Sequence, residues 1–126
     1  MEKVLVTGAT GYIGLHCIHQ LLNQGYAVNG SVRSPERKDE IINALKSHNT
    51  STEHLNLFTF NLTEDTGWDA GMEGCDYLLH VASPIALANH DADFFVKPAV
   101  AGVKRAMKFV KKHNVKKVVL TSSVAV

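Results

Sequence analysis

Near the start of the chain, Gly8, Gly11 and Gly14 recur at steps of three within Gly8-Ala9-Thr10-Gly11-Tyr12-Ile13-Gly14. Residues of this type and spacing suit one task, which is holding a phosphate against main-chain amides. Gly8 permits a tight turn. Gly11 removes the Cβ that would keep a pyrophosphate off the backbone, and Gly14 lets a helix pack closely. A helix starting here offers free N–H groups and a partial positive charge to the anion. The expectation is a cradle for the pyrophosphate of a nicotinamide dinucleotide, formed by Gly8, Thr10, Gly11, Tyr12, Ile13 and Gly14.

Arg33 bears on which dinucleotide. Dinucleotide-binding sheets that select NAD usually close their second strand with a carboxylate on the ribose 2′-OH. No acidic residue occurs between positions 26 and 35, and Arg33 stands at that place, with Arg37 and Lys38 following. A guanidinium there pairs bidentately with a 2′-phosphate and stacks on adenine. NADP(H) is therefore expected, with Arg33 and Arg37 as ligands and Ser31 as a weaker phosphate candidate. Lys38 alone reads as a solvated helix residue.

Other constellations carry less. Among seven histidines, His16 and His19 share a helical step with no third ligand at a known spacing, so no metal site is expected. His80 sits inside an apolar run and reads as a packed, satisfied histidine. Cys17 and Cys75 are isolated, as in an intracellular protein with reduced thiols. The late basic cluster, Lys104 to Lys117, reads as a solvated helix face. A net charge of +1 favours neither nucleic acid nor an anionic membrane. No apolar run is long enough for a membrane span, so a cytoplasmic protein is expected.

The elements that must position these residues follow from periodicity. Lys3 to Thr7 is a short apolar run ending in glycine, as a buried parallel strand should. Ile13, Cys17, Ile18, Leu21 and Leu22 mark a helix that Gly25 caps. Tyr26 to Val32 reads as a second strand, and Ser34-Pro35 starts a helix with Ile41, Ile42 and Leu45 inward. His54 to Phe60 is a third strand, and 61–74 a loop with one helical turn. Asp76 to Val81 is a fourth strand. Val96, Val100, Val103, Met107 and Val110 form the inward stripe of a long helix, and Val115 to Thr121 a fifth strand. Its other face, with Phe95, Ala99 and Ala106, could pair two copies through the helix at 90–113. Strands alternating with helices predict an α/β, Rossmann-type doubly wound parallel sheet of order 3-2-1-4-5, helices on both faces.

Val6-Thr7-Gly8-Ala9-Thr10-Gly11-Tyr12-Ile13-Gly14 resembles the opening of the extended short-chain dehydrogenase/reductases. The runs Gly74 to Pro84, Lys97 to Val103 and Val118 to Ala125 are similar to its branch of dihydroflavonol reductases, cinnamoyl-CoA reductases and fungal ketone/aldehyde reductases. The resemblance implies an NADP-dependent reductase of a small-molecule carbonyl. It places Asn61 and Leu62 near the adenine, and Val81, Ala82, Ser83 and Thr121 along the cofactor. Ser123 matches the family's catalytic serine, which polarises the carbonyl while a tyrosine, its pKa lowered by a lysine, donates the proton.

That tyrosine and lysine should appear as Tyr-x-x-x-Lys. Tyr12, Tyr26 and Tyr77 are followed four residues later by His16, Gly30 and Val81. The expectation is that residues 1–126 form one dinucleotide-binding domain, the N-terminal part of a longer enzyme truncated after the fifth strand. Alone it should be inactive. The alternative is a non-catalytic NADP(H)-binding or redox-sensing module.

Overall fold

The computed structural model describes residues 1–9, 12–59, 65–81 and 92–120, with side chains omitted at 12 and 92–100. Five strands alternate with helices: β1 (Lys3–Thr7), α1 (Tyr12–Asn23), β2 (Ala27–Val32), α2 (Lys38–Ser47), β3 (Leu55–Thr59), α3 (Trp68–Met72), β4 (Tyr77–His80), α4 (Ala92–Lys112) and β5 (Lys117–Leu120). The sheet order is β3-β2-β1-β4-β5, and every neighbouring pair is parallel. All strands therefore end on one edge. The chain leaves β1 for one side and returns on the other through β4, which makes the crevice between β1 and β4 a topological switch point.

Alternation along β1 and β2 explains why both faces are covered. Val4 and Val6 of β1 and Val28 and Val32 of β2 pack with Ile18, Ile41 and Leu45 of α1 and α2. Leu5 and Leu78 turn the other way, onto Trp68, Met72, Ala106 and Phe109 of α3 and α4. Trp68 is fully buried and stacks on Phe109 at 5.8 Å between centroids. Burial of such side chains contributes about 1.5–3 kcal/mol each.

Several boundaries differ from those read in the sequence. Pro35 opens a separate 3-10 turn, Pro35–Arg37, before α2, and Ser34 makes no side-chain cap to it. The expected loop at 61–74 holds the buried helix α3, whose Gly71 carbonyl accepts from Asn29 Nδ2 at 2.7 Å. The inward stripe of α4 is also displaced. Ala106 and Phe109 are 0% and 3% exposed whereas Met107 is 43% exposed. Ala106 thus faces the sheet and leaves the proposed pairing surface; Phe95 and Ala99 lie outside the described side chains. Three residues of the basic cluster bind acids of the α3 region: Arg105 and Lys108 hold Asp65 at 2.6 and 2.7 Å, and Lys112 holds Asp69 at 2.8 Å.

Candidate functional site

The C-terminal edge of the sheet collects Gly8 and Ala9 after β1, Arg33 after β2 and Val81 after β4. Gly8 leaves β1 at φ +73°, a left-handed conformation that glycine adopts without strain. A Cβ on Gly14 would lie 2.0 Å from the Gly8 carbonyl oxygen, so α1 begins directly on the turn backbone. The close approach expected of Gly14 is thus to the turn rather than to the sheet proper. Ile13, on the first turn of α1, is 56% exposed and Gly14 is buried. Gly30 is equally constrained, since a Cβ there would meet Leu57 at 3.0 Å and Ala9 at 3.2 Å.

Ser31 is 6% exposed and its hydroxyl accepts from the Gly8 N–H at 3.1 Å. Its carbonyl accepts from the Ala9 N–H at 3.0 Å. A buried hydroxyl engaged in this way holds the turn. Arg33 lies exposed beyond Val32. Arg37, at the end of the 3-10 turn, bonds Glu40 on the first turn of α2 at 3.2 Å, both side chains being largely exposed. Such a pair is worth only about 0.2–0.5 kcal/mol and yields easily to a stronger anion.

Across the switch point, Thr7 Oγ1 accepts from the Val81 N–H at 2.9 Å and lies 3.0 Å from His80 Nδ1. The Val81 amide is therefore engaged with β1. His80 is buried against Trp68, at 6.4 Å between ring centroids, and burial holds its pKa below the ordinary histidine value. It is packed and hydrogen-bonded, as the sequence suggested.

Tyr26 precedes β2 and Tyr77 opens β4, so both lie at the opposite edge of the sheet from Gly8. Tyr77 donates to Glu2, which pushes its pKa up to about 12. Neither is placed to protonate a group bound at the C-terminal edge. Cys75 is a buried free thiol pushed up to about 11 by desolvation, and Cys17 is also free. Among the described residues no group of three or more His, Cys, Asp or Glu could hold a metal ion, and no helix is long and apolar enough to cross a membrane. Thr10, Gly11, Asn61, Leu62, Ala82, Ser83, Thr121 and Ser123 lie outside the described residues, as does the side chain of Tyr12. The structure brings together Gly8, Gly14, Arg33 and Val81, and adds Ser31, Gly30 and Thr7 as the residues that hold them.

A parallel α/β sheet with a glycine turn at its switch point defines the dinucleotide-binding class of fold. The chain belongs to the NAD dependent epimerase/dehydratase family, which matches residues 4–126. It is 37% identical over 126 residues to an anthocyanidin reductase of Vitis vinifera, covering 98% of this chain and 37% of that protein. A dihydroflavonol 4-reductase of Dianthus caryophyllus is 35% identical over 123 residues, covering 97% of this chain and 34% of the relative. Among solved structures, yeast methylglyoxal/isovaleraldehyde reductase complexed with NADPH superimposes with TM-score 0.82 at 30% identity, covering 96% of this chain and 37% of that one. The chain thus spans little more than a third of the length of these relatives. The branch read from the motifs agrees with them.

Proposed function

We propose that residues 1–126 form the NADP(H)-binding domain of an oxidoreductase that reduces a small-molecule carbonyl to an alcohol. The reading rests on one arrangement: a left-handed Gly8, with α1 seated on its carbonyl, at the β1–β4 switch point, and an exposed Arg33 where an acid would select NAD. The residues fit such a cofactor, because a side chain at position 14 would collide with the Gly8 carbonyl and the same edge carries the exposed cation Arg33. The cofactor, when bound, supplies the hydride. The chain's own part is to orient it: α1 meets the pyrophosphate with its N-terminal amides, and Arg33, with Arg37, meets the 2′-phosphate. Ser123 is assigned to polarise the carbonyl, and the proton donor is a Tyr-x-x-x-Lys pair that this sequence lacks. The reaction class is supported by the similar yeast methylglyoxal/isovaleraldehyde reductase, whose named substrates are carbonyl compounds.

Calorimetric titration of NADPH and NADH tests the reading. NADPH should bind more tightly, and Arg33→Ala should remove about 1.5–3 kcal/mol of NADPH binding while sparing NADH. An unchanged preference in the variant removes Arg33 from the site.

A further inference from the structure

Ser31 makes both hydrogen bonds that fix the first two amides after β1: its hydroxyl takes the Gly8 N–H at 3.1 Å and its carbonyl the Ala9 N–H at 3.0 Å. Gly8 is left-handed at φ +73°, and its N–H is satisfied by a side chain, the Ser31 hydroxyl. The next residue along β2 is Val32 and the one after it Arg33. Gly30, immediately before, carries no Cβ because Ala9 and Leu57 occupy that space at 3.2 and 3.0 Å. Gly30 and Ser31 thus touch the turn, and Arg33 follows two residues after Ser31.

We infer that Ser31 is a positioning residue for pyrophosphate binding, clasping the turn after β1 so that the following amides are set for the anion, and that it makes no contact with the 2′-phosphate. The inference deepens the cofactor reading and rests on it. Without the hydroxyl, the Gly8 N–H loses its acceptor and the turn samples conformations in which α1 no longer presents its first amides together. Affinity falls by the fraction of time spent in those states. The loss is common to every ligand that carries a pyrophosphate. A 2′-phosphate contact would instead produce a loss confined to ligands bearing that group.

The test measures the affinities of NADPH, NADH and 2′-AMP for the wild-type chain and for Ser31→Ala, Ser31→Thr and Arg33→Ala, with far-UV circular dichroism on each. Ser31→Ala should weaken NADPH and NADH alike, by about tenfold, and leave 2′-AMP unchanged. Ser31→Thr, which retains the hydroxyl, should restore both. Arg33→Ala should show the opposite pattern, losing NADPH and 2′-AMP and sparing NADH. Equal binding by Ser31→Ala overturns the inference, as does a loss restricted to NADPH and 2′-AMP. Loss of all three ligands together with helical signal also overturns it, since Ser31 would then serve the fold as a whole. If the wild-type chain binds neither dinucleotide, the cofactor reading itself fails.

Discussion

The two flanks of β1 are built differently. Toward β2 the contact is continuous: β1 and β2 are buried along nearly their whole length, and Ser31 carries the pairing past the strand ends into the turn. Toward β4 the main-chain ladder is equally long, and among the described residues the side chain of Thr7 extends it by reaching His80 and Val81. Burial then fades outward, until Val119 and Leu120 on β5 are 55% and 47% exposed. The flank that shapes the phosphate turn is closed by the Ser31 hydroxyl and carbonyl. The other adds aromatic packing, a buried imidazole and, among the described residues, β5 as the edge strand.

The sharpest way to break this contrast is Trp68→Ala. Removing the fully buried ring stacked on Phe109 should cost about 3–5 kcal/mol, read as a lowered urea midpoint by circular dichroism. Substitution on the β2 flank should act through backbone strain instead. Gly14→Ala places a Cβ 2.0 Å from the Gly8 carbonyl oxygen and should cost about 3 kcal/mol with loss of NADPH binding. Gly25→Ala, at φ +91° with nothing within 4 Å, should cost about 1 kcal/mol and leave binding intact. Equal costs for the two glycines would show that the turn is not tight.

Acid should act first on the β4 flank. Burial depresses the pKa of His80 in the folded protein, so the unfolded chain takes up that proton first as pH falls. Stability is then full above the ordinary histidine range, near 6.5, and declines below it. Asp65 and Asp69 have pKa values lowered by hydrogen bonds to Lys108 and Lys112, so their contribution is lost only at the lower pH of carboxylate titration. Urea midpoints should drop between pH 7.5 and 5.5, and His80→Gln should flatten that drop. A wild-type midpoint independent of pH in this interval refutes the assignment.

The smallest effect on stability belongs to the open edge. Val119→Lys should change the unfolding free energy by less than about 0.5 kcal/mol. It should nevertheless reduce self-association in sedimentation velocity, because an aliphatic edge strand offers unpaired backbone groups to a second copy. A wild-type chain that stays monomeric at high concentration removes this expectation.

How much of this was legible in the sequence depended on how unambiguous each local signal is. β1 was readable because its buried centre, Val4 to Val6, is aliphatic, and the glycine turn because its spacing sits between strand and helix. The inward face of α4 was only partly legible: Val110 packs on the core as expected, but Met107 is exposed and Ala106 and Phe109 take the buried places. Side-chain periodicity alone does not separate the two stripes. Helix α3 was legible only as one turn somewhere within 61–74, because five residues carry no period that fixes its place. Ser31 could be seen as a hydroxyl near a phosphate site but not as a clasp. Its partner is an amide 23 residues away, and amides leave no mark on side-chain patterns.

The strand order has a consequence for the growing chain. β1, β2 and β3 are neighbours in both sequence and sheet, so they can join as they emerge. β1 is a central strand, however, and the partner for its second side is 73 residues away, where Thr7 meets His80. Until the ribosome has released β4, a strand that ends almost wholly buried has one open border, aliphatic and unpaired. The segment that later frames the switch point is therefore the one in most need of shelter during synthesis.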